Sequence, residues 1–360
     1  MIVPALVSTL FGLSSAVAVS AQEPETAAPD TAYHPGAYQV FTGAGKPATM
    51  DDIVRAMGGN QVVFVGETHD DPTAHMLELE LLKGATAKYG VPSQADSAAK
   101  PGAGDVVPGS GGGRPVALSL EFFETDVQLP LDEYLAGLIS ESSFLADTRP
   151  WPRYRTDYRP LIEFAKDHDL PVIAANAPRR YVNMVARHGR ESLNQLSRQA
   201  LAYLPPLPYG HASAAYRDQW IATIAEVMKQ EGTKCGVPVA HAAAPPGSHA
   251  QMGNQLDSQV LWDATMAYSI FRYLSGQPDA LVLHMVGGFH VERDTGIPEQ
   301  LRAYMPDLRS MIVSLRPVAD VSTFEPAPSG QWGDFVIQTD STRTMESIEC
   351  RHFRAERGLK

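Results

Sequence analysis

Two histidines follow apolar segments in the same local pattern. Val62–Val65 leads into Gly66-Glu67-Thr68-His69, and Leu281–Val286 leads into Gly287-Gly288-Phe289-His290. Each Gly permits a tight turn that returns the following imidazole over the end of the apolar segment. Together with Glu67 and Glu121, the two imidazoles form a nitrogen and oxygen donor set suited to a divalent transition metal or to acid–base chemistry.

One such histidine alone is more often a helix cap or a hydrogen-bonded core residue than a ligand. The repeated pattern, with Glu67 and Glu121 at equivalent positions, favours a shared site formed by Glu67, His69, Glu121 and His290. Asn176-Ala177-Pro178-Arg179 also follows an apolar segment. Since ligands bind outside the carboxyl ends of strands in open α/β sheets, these groups are expected to converge there.

The elements that position these residues are short β-branched segments alternating with longer segments of helical period. This alternation predicts a single-domain, three-layer α/β fold with a mostly parallel sheet flanked by helices. Thr49, Asp71-Pro72 and Tyr158-Arg159-Pro160 mark helix starts, and the longest helix is predicted from about His249 to Ser275. The predicted strands are Val62–Val65, Val116–Leu120, Pro171–Ala175, Leu281–Val286, Met311–Leu315 and Phe335–Ile337.

Composition divides the rest of the chain. Residues 1–21 are apolar and end in Val19-Ser20-Ala21, which predicts a cleaved signal peptide and a periplasmic or secreted protein. No Cys follows this apolar run, so a lipoprotein is not expected. The composition predicts a flexible leader at residues 22–37, the folded domain at 38–345 and a tail at 346–360. Gly- and Pro-rich stretches at 92–114 and 232–247 read as surface insertions.

Charge and cysteine content exclude some functions. The formal net charge of −12 and the lack of a basic stripe argue against a nucleic-acid partner, because such binding relies on clustered Lys and Arg. Cys235 and Cys350 are the two cysteines of the chain. They leave a disulfide and two free thiols equally open, and they are too few for a Cys-rich metal site.

Several segments between about 61 and 317 resemble, in the right order, the ChaN-type haem-binding family of the Tiki and erythromycin-esterase-like superfamily. They are Val62–Pro72, Leu120–Glu124, Leu131–Leu135, Val172–Arg179, Gln259–Ala267, Val286–His290 and Gly296–Pro298. The resemblance implies a haem-binding protein of iron uptake outside the cytoplasm. Haem, envelope haem-transport components and a second copy of the chain are its candidate partners. Superfamily relatives imply the alternative, a metal-dependent hydrolase using Glu67, His69, Glu121 and His290.

Haem requires an axial ligand, apolar walls and cationic partners for its propionates. Tyr209 and His211, in a Pro-rich loop, are the predicted ligand candidates, with His249 and Met252 as rivals. Arg179 and Asn176, with Arg155 and Tyr158, are predicted to line the crevice. Gln259 and Asp263 lie one helical turn apart, and they are expected to orient His69 or His290.

Overall fold

The structure is a computed structural model that describes residues 37–91, 113–231, 249–347 and 350–351. The predicted signal peptide, nearly all of the leader, almost the whole insertion at 92–114 and the stretch at 232–247 lie outside the described residues. Cys235 lies outside them too. The pairing of the cysteines and the signal peptide therefore stay predictions.

The described residues form one eight-stranded sheet with the order β2-β1-β8-β7-β3-β6-β4-β5. Its six strands from β8 to β5 are parallel, and the β1–β2 hairpin extends the β8 edge antiparallel. The strands are β1 Tyr38–Thr42, β2 Pro47–Ala48, β3 Val62–Glu67, β4 Val116–Glu124, β5 Val172–Asn176, β6 Leu281–Gly287, β7 Ser310–Val318 and β8 Phe335–Asp340. The predicted mostly parallel α/β fold is confirmed.

The strands differ from the prediction at their ends. The β1–β2 hairpin was not predicted, because two short edge strands after a polar leader carry little apolar signal. β3 runs two residues further than predicted, so Glu67 ends the strand. β4 runs to Glu124, but its ladder with β6 stops at Leu120, which makes Glu121 the first residue beyond it.

Helices begin where local caps satisfy their first amide groups. Thr49 and Asp52 form a capping box, and the Asp71 side chain accepts from the Thr73 amide, as the predicted starts require. None of the helices in the described part is long and apolar enough to cross a membrane. The helices are α1 Met50–Met57, α2 Pro72–Tyr89, α3 Gln128–Leu135, α4 Glu141–Thr148, α5 Arg159–Asp167, α6 Arg179–His188, α7 Arg198–Leu201, α8 Ala214–Glu231, α9 His249–Gly276 and α10 Ile297–Tyr304.

Apolar side chains cover both faces of the sheet. Along β3, Val63 and Val65 face a cluster with Leu77 and Leu81 of α2, whereas Val62 and Phe64 face the opposite cluster. That second cluster holds Met266 and Ile270 of α9 and Leu301 of α10. Alternate strand residues point to opposite faces, so the parallel strands are buried on both sides between helical layers.

The order of the strands decides where a ligand can enter. β3 is followed by β4, which lies beyond β6, whereas β6 is followed by β7, which lies beyond β3. The two crossovers run in opposite directions, with α2 and α10 on opposite faces. In open α/β sheets, the crevice at such a switch point is the usual ligand site. Here it lies between the carboxyl ends of β3 and β6, which carry the two histidine motifs.

Candidate functional site

Two glycines allow the histidine motifs to meet. A Cβ on Gly66 would lie 3.0 Å from the Gly288 Cα, and a Cβ on Gly287 would lie 3.0 Å from the His69 Cε1. Such distances are shorter than ordinary van der Waals contacts, so a side chain at either position would force the motifs apart. The glycines of the pattern therefore permit close packing between the ends of β3 and β6.

The first motif contains a histidine–carboxylate pair at the mouth of the crevice. His69 Nδ1 lies 2.6 Å from Glu67 Oε1, and the side chains are 47% and 4% exposed, respectively. Burial acts to lower the pKa of His69, but the hydrogen bond and charge of Glu67 outweigh it and raise the pKa to about 9. The other Glu67 oxygen, Oε2, is buried and has no hydrogen-bond partner among the described residues.

The second motif is enclosed. His290 is 8% exposed, its Nδ1 is hydrogen-bonded to Asp263 on α9, and its Nε2 lies 3.5 Å from Glu121 Oε1. Gln259, one turn before Asp263, places its Nε2 3.3 Å from the His290 Nε2. The predicted contact of Gln259 and Asp263 with a motif histidine is thus confirmed for His290.

Burial and neighbouring charges have opposite effects on the pKa values of His290 and Glu121. Burial acts to lower the pKa of His290, but Asp263 and Glu121 raise it overall. Burial acts to raise the pKa of Glu121, yet His290, His69 and the Gly287 amide lower it overall. That amide donates to Glu121 Oε2 over 2.7 Å. The ion pair and the amide together stabilise the charged carboxylate despite its burial.

A second layer of polar residues lies behind His69, and sequence reasoning missed it. His75 of α2 places Nε2 3.1 Å from the His69 carbonyl oxygen and Nδ1 3.1 Å from Glu78 Oε2. Arg153 also donates to the His69 carbonyl, over 2.5 Å, and to Asp157. A usable signal was present, because His75 and Glu78 lie three residues apart among the buried apolar residues of α2.

An open cleft of about 630 Å³ is lined in part by Trp151, whose ring contacts His69. Phe122, Trp151 and two prolines supply apolar walls, and Trp151 packs edge-on against the His69 ring with centroids 4.9 Å apart. Its rim carries Arg149, Arg179 and Arg180. The volume falls within the range of about 300–1,000 Å³ that is usual for small-molecule pockets.

A family model described as "Haem-binding uptake, Tiki superfamily, ChaN" matches residues 53–301. The chain belongs to this ChaN family. The matched range includes both histidine motifs and every residue of the crevice described above. The resemblance seen in the sequence is therefore confirmed.

Known proteins resemble this ChaN-family chain to different extents. The ChaN structure of Campylobacter jejuni, titled for its cofacial haem binding, superposes with a TM-score of 0.56 at 13% identity, over 83% of this chain and 96% of that one. Protein RETICULATA-RELATED 5, chloroplastic, of Arabidopsis thaliana is 22% identical over 264 residues, 71% of this chain. Those residues are 31% of the plant protein, so the chain spans about a third of it.

The predicted residues separate into two groups in this ChaN-family fold. Glu67, His69, Glu121 and His290 meet in the crevice, and Arg179 lines the cleft beside it. Asn176 ends β5 with its side-chain oxygen bonded to the Ala177 amide. Tyr158 is buried with its ring 4.8 Å from that of His75, whereas Arg155 is exposed.

The two haem-ligand candidates of the Pro-rich loop lie elsewhere. Tyr209 is buried, and its hydroxyl donates to the Asp257 carbonyl over 2.9 Å. His211 is exposed and contacts Arg190. Neither residue belongs to the crevice or the cleft, so their contact with haem stays a prediction. The side chain of the rival His249 lies outside the described residues.

Proposed function

We propose that the protein binds haem in the cleft beside His69. The observation that carries this proposal is a wide cleft with apolar and aromatic walls and an arginine rim, next to an exposed imidazole. A porphyrin needs such walls for its faces and cations for its propionates. Membership of a haem-binding family supports the same ligand.

His69 is the proposed axial ligand. Of the four predicted crevice residues it is the most exposed, and its Nδ1 is paired with Glu67, which leaves Nε2 for iron. A carboxylate that accepts the other ring hydrogen orients a ligating imidazole and raises its basicity. Because iron binds the neutral ring and the pKa of His69 is raised to about 9, haem affinity is expected to rise with pH.

Arg179 is the proposed propionate partner. It is exposed at the start of α6 and has no ion pair or hydrogen bond with the described residues. The other two rim arginines are already paired, Arg149 with Glu124 and Asp126, and Arg180 with Asp126. A propionate at Arg179 would therefore gain a cation without breaking an existing pair.

A haemin titration of the purified protein, followed by the Soret band, tests the haem proposal. We expect a saturable band in the wild type, a shifted or lost band in His69→Ala, and no change in His188→Ala, an exposed histidine at the end of α6. No Soret band in the wild type would contradict haem binding. An unchanged band in His69→Ala would show that His69 is not the axial ligand. Tyr209 and His211 would then be the remaining candidates, and replacing both with Phe tests them.

The place of action is a further part of the proposal. Val19-Ser20-Ala21 after an apolar run supports export, with haem uptake in the periplasm or outside the cell and transport components or a second copy as partners. Amino-terminal sequencing of exported protein is expected to begin near Gln22. A retained Met1 would contradict cleavage.

Hydrolysis is the second candidate function. The observation that favours it is His290, enclosed between Asp263 and Glu121, since an imidazole oriented by a carboxylate can act as a general base. A nitrophenyl ester or peptide assay on haem-free, metal-supplemented protein tests this function. Turnover that is lost in His290→Gln would favour it, whereas no turnover would contradict it.

A further inference from the structure

A buried group of metal-ligand type lies on the far side of Glu67 from His69. Within the described residues, Glu67, His75 and Glu78 form the one group whose ligand atoms all lie within 4.8 Å of one another. The three side chains are 4%, 4% and 1% exposed. Glu67, His69, Glu121 and His290, predicted as metal ligands from the sequence, do not form such a group.

An unpaired oxygen of Glu67 is a second, independent indication that this group binds a ligand. Its Oε1 is bonded to His69, whereas its Oε2 is buried without a hydrogen-bond partner among the described residues. This oxygen lies 3.9 Å from His75 Nε2, which is too far for a hydrogen bond. A buried carboxylate oxygen that lacks a partner is costly, so its position calls for a cation that it can bind.

The hydrogen bonds around His75 suit a metal ligand. Its Nε2 lies 3.1 Å from the His69 carbonyl oxygen, which can only accept, so Nε2 carries a hydrogen. Metal-bound imidazoles ordinarily donate the N–H of their second ring nitrogen to a carbonyl or carboxylate oxygen in this way. Its Nδ1 then faces Glu78 Oε2 at 3.1 Å, a separation that two ligands of one ion can have.

We infer that Glu67, His75 and Glu78 bind a divalent first-row transition ion, such as Mn²⁺ or Zn²⁺, through one nitrogen and carboxylate oxygens. Two carboxylates neutralise the charge of the ion, and the ion takes the place of the proton between His75 Nδ1 and Glu78. Asp157 is not included, because Arg153 already pairs with it over 2.7 Å. One imidazole with carboxylates suits such ions and disfavours Cu(I), which prefers sulfur.

The inference goes beyond haem binding and does not depend on it. The three ligand atoms lie within 4.8 Å of one another, whereas two ligands of one ion with bonds of about 2.0–2.2 Å lie at most about 4.4 Å apart. Glu67 therefore has to turn towards His75 Nδ1 to complete the site. A bound ion would also hold Glu67, the partner of His69. The site thereby connects α2 with the end of β3.

Metal content of the haem-free full chain, expressed in medium with added Mn²⁺ or Zn²⁺ and desalted, tests the inference. We expect about one ion per chain in the wild type and a loss of more than about tenfold in Glu78→Gln and His75→Gln. Glu78→Gln keeps the shape of the side chain, so it separates loss of the ion from loss of the fold. Circular dichroism checks that each variant is folded.

Two control variants make the outcome specific. His290→Gln alters the other side of the crevice, and Glu292→Gln alters a buried acid bonded to Ser314 and Arg316. Both are expected to retain the ion. A wild type without the ion, or an ion retained in both Glu78→Gln and His75→Gln, would overturn the inference. An ion lost in His290→Gln but kept in Glu78→Gln would assign the metal to the set predicted from the sequence.

Discussion

The two Gly-x-x-His motifs have the same local sequence pattern and different surroundings. His69 is 47% exposed, pairs with the carboxylate of Glu67 at the end of β3, and touches Trp151 of the cleft. His290 is 8% exposed and pairs with Asp263 of α9, which is 27 residues away along the chain. One imidazole is therefore placed to meet a ligand, and the other is fixed inside the protein.

The difference follows from what covers each strand end. α9 passes over the end of β6 and brings Gln259 and Asp263 onto His290. The end of β3 is covered by the residues before α5, where Trp151 and Arg153 contact His69 but leave half of its ring exposed. Two copies of one sequence motif in a parallel sheet can therefore have different roles, because different segments cover the two strand ends.

The largest expected effect distinguishes the two carboxylate partners. Asp263→Asn removes the charge that faces buried His290 and is expected to lower the free energy of unfolding by about 1–3 kcal/mol. Glu67→Gln removes the partner of a half-exposed histidine, and His75 keeps Glu78 and Asp157, so we expect a smaller loss of about 0.2–1 kcal/mol. Urea unfolding of both variants measures this contrast. Equal losses would show that both pairs are structural.

The second effect is a dependence of stability on pH. Burial acts to lower the pKa values of His69 and His75, but Glu67 and other nearby acids raise them to about 9 and about 10. A histidine whose pKa is raised by folding stabilises the protein fully below its unfolded value of about 6.5, and this contribution is lost as pH rises through the folded value.

The metal-free protein is therefore expected to lose stability between about pH 7 and pH 10. Thermal unfolding across this range measures the loss, and His75→Gln is expected to flatten the curve. Stability that stays constant or rises over the same range in the wild type would contradict the protonated state of both histidines.

The smallest effect concerns the cleft beside His69. Arg179→Ala is expected to weaken haemin binding by about 1.4- to fivefold, because ion pairs of exposed arginines contribute roughly 0.2–1 kcal/mol. Arg187→Ala, on the same helix but outside the cleft, is the matched control. A haemin titration at low and high salt measures both. Equal affinity in the two variants would remove Arg179 from the ligand site.

Much of the fold could be predicted from the sequence. The strands β3 to β8 were predicted at their cores, because buried parallel strands are continuous β-branched runs. The starts of α1 and α2 were predicted as well, since Thr49, Asp71 and Pro72 act on the amides next to them. The β1–β2 hairpin was missed, because its two short strands are defined by pairing with β8 and with each other.

The sequence by itself determined which residues stand at the strand ends, and so that Glu67, His69, Glu121 and His290 share one crevice. Periodicity and turn residues act over a few positions, and parallel strand ends meet at one edge of the sheet. Only the tertiary structure decided which histidine is exposed, that His75 and Glu78 lie behind Glu67, and that Tyr209 packs away from the crevice. Burial and hydrogen-bond partners depend on distances through space between distant segments, which no local pattern specifies.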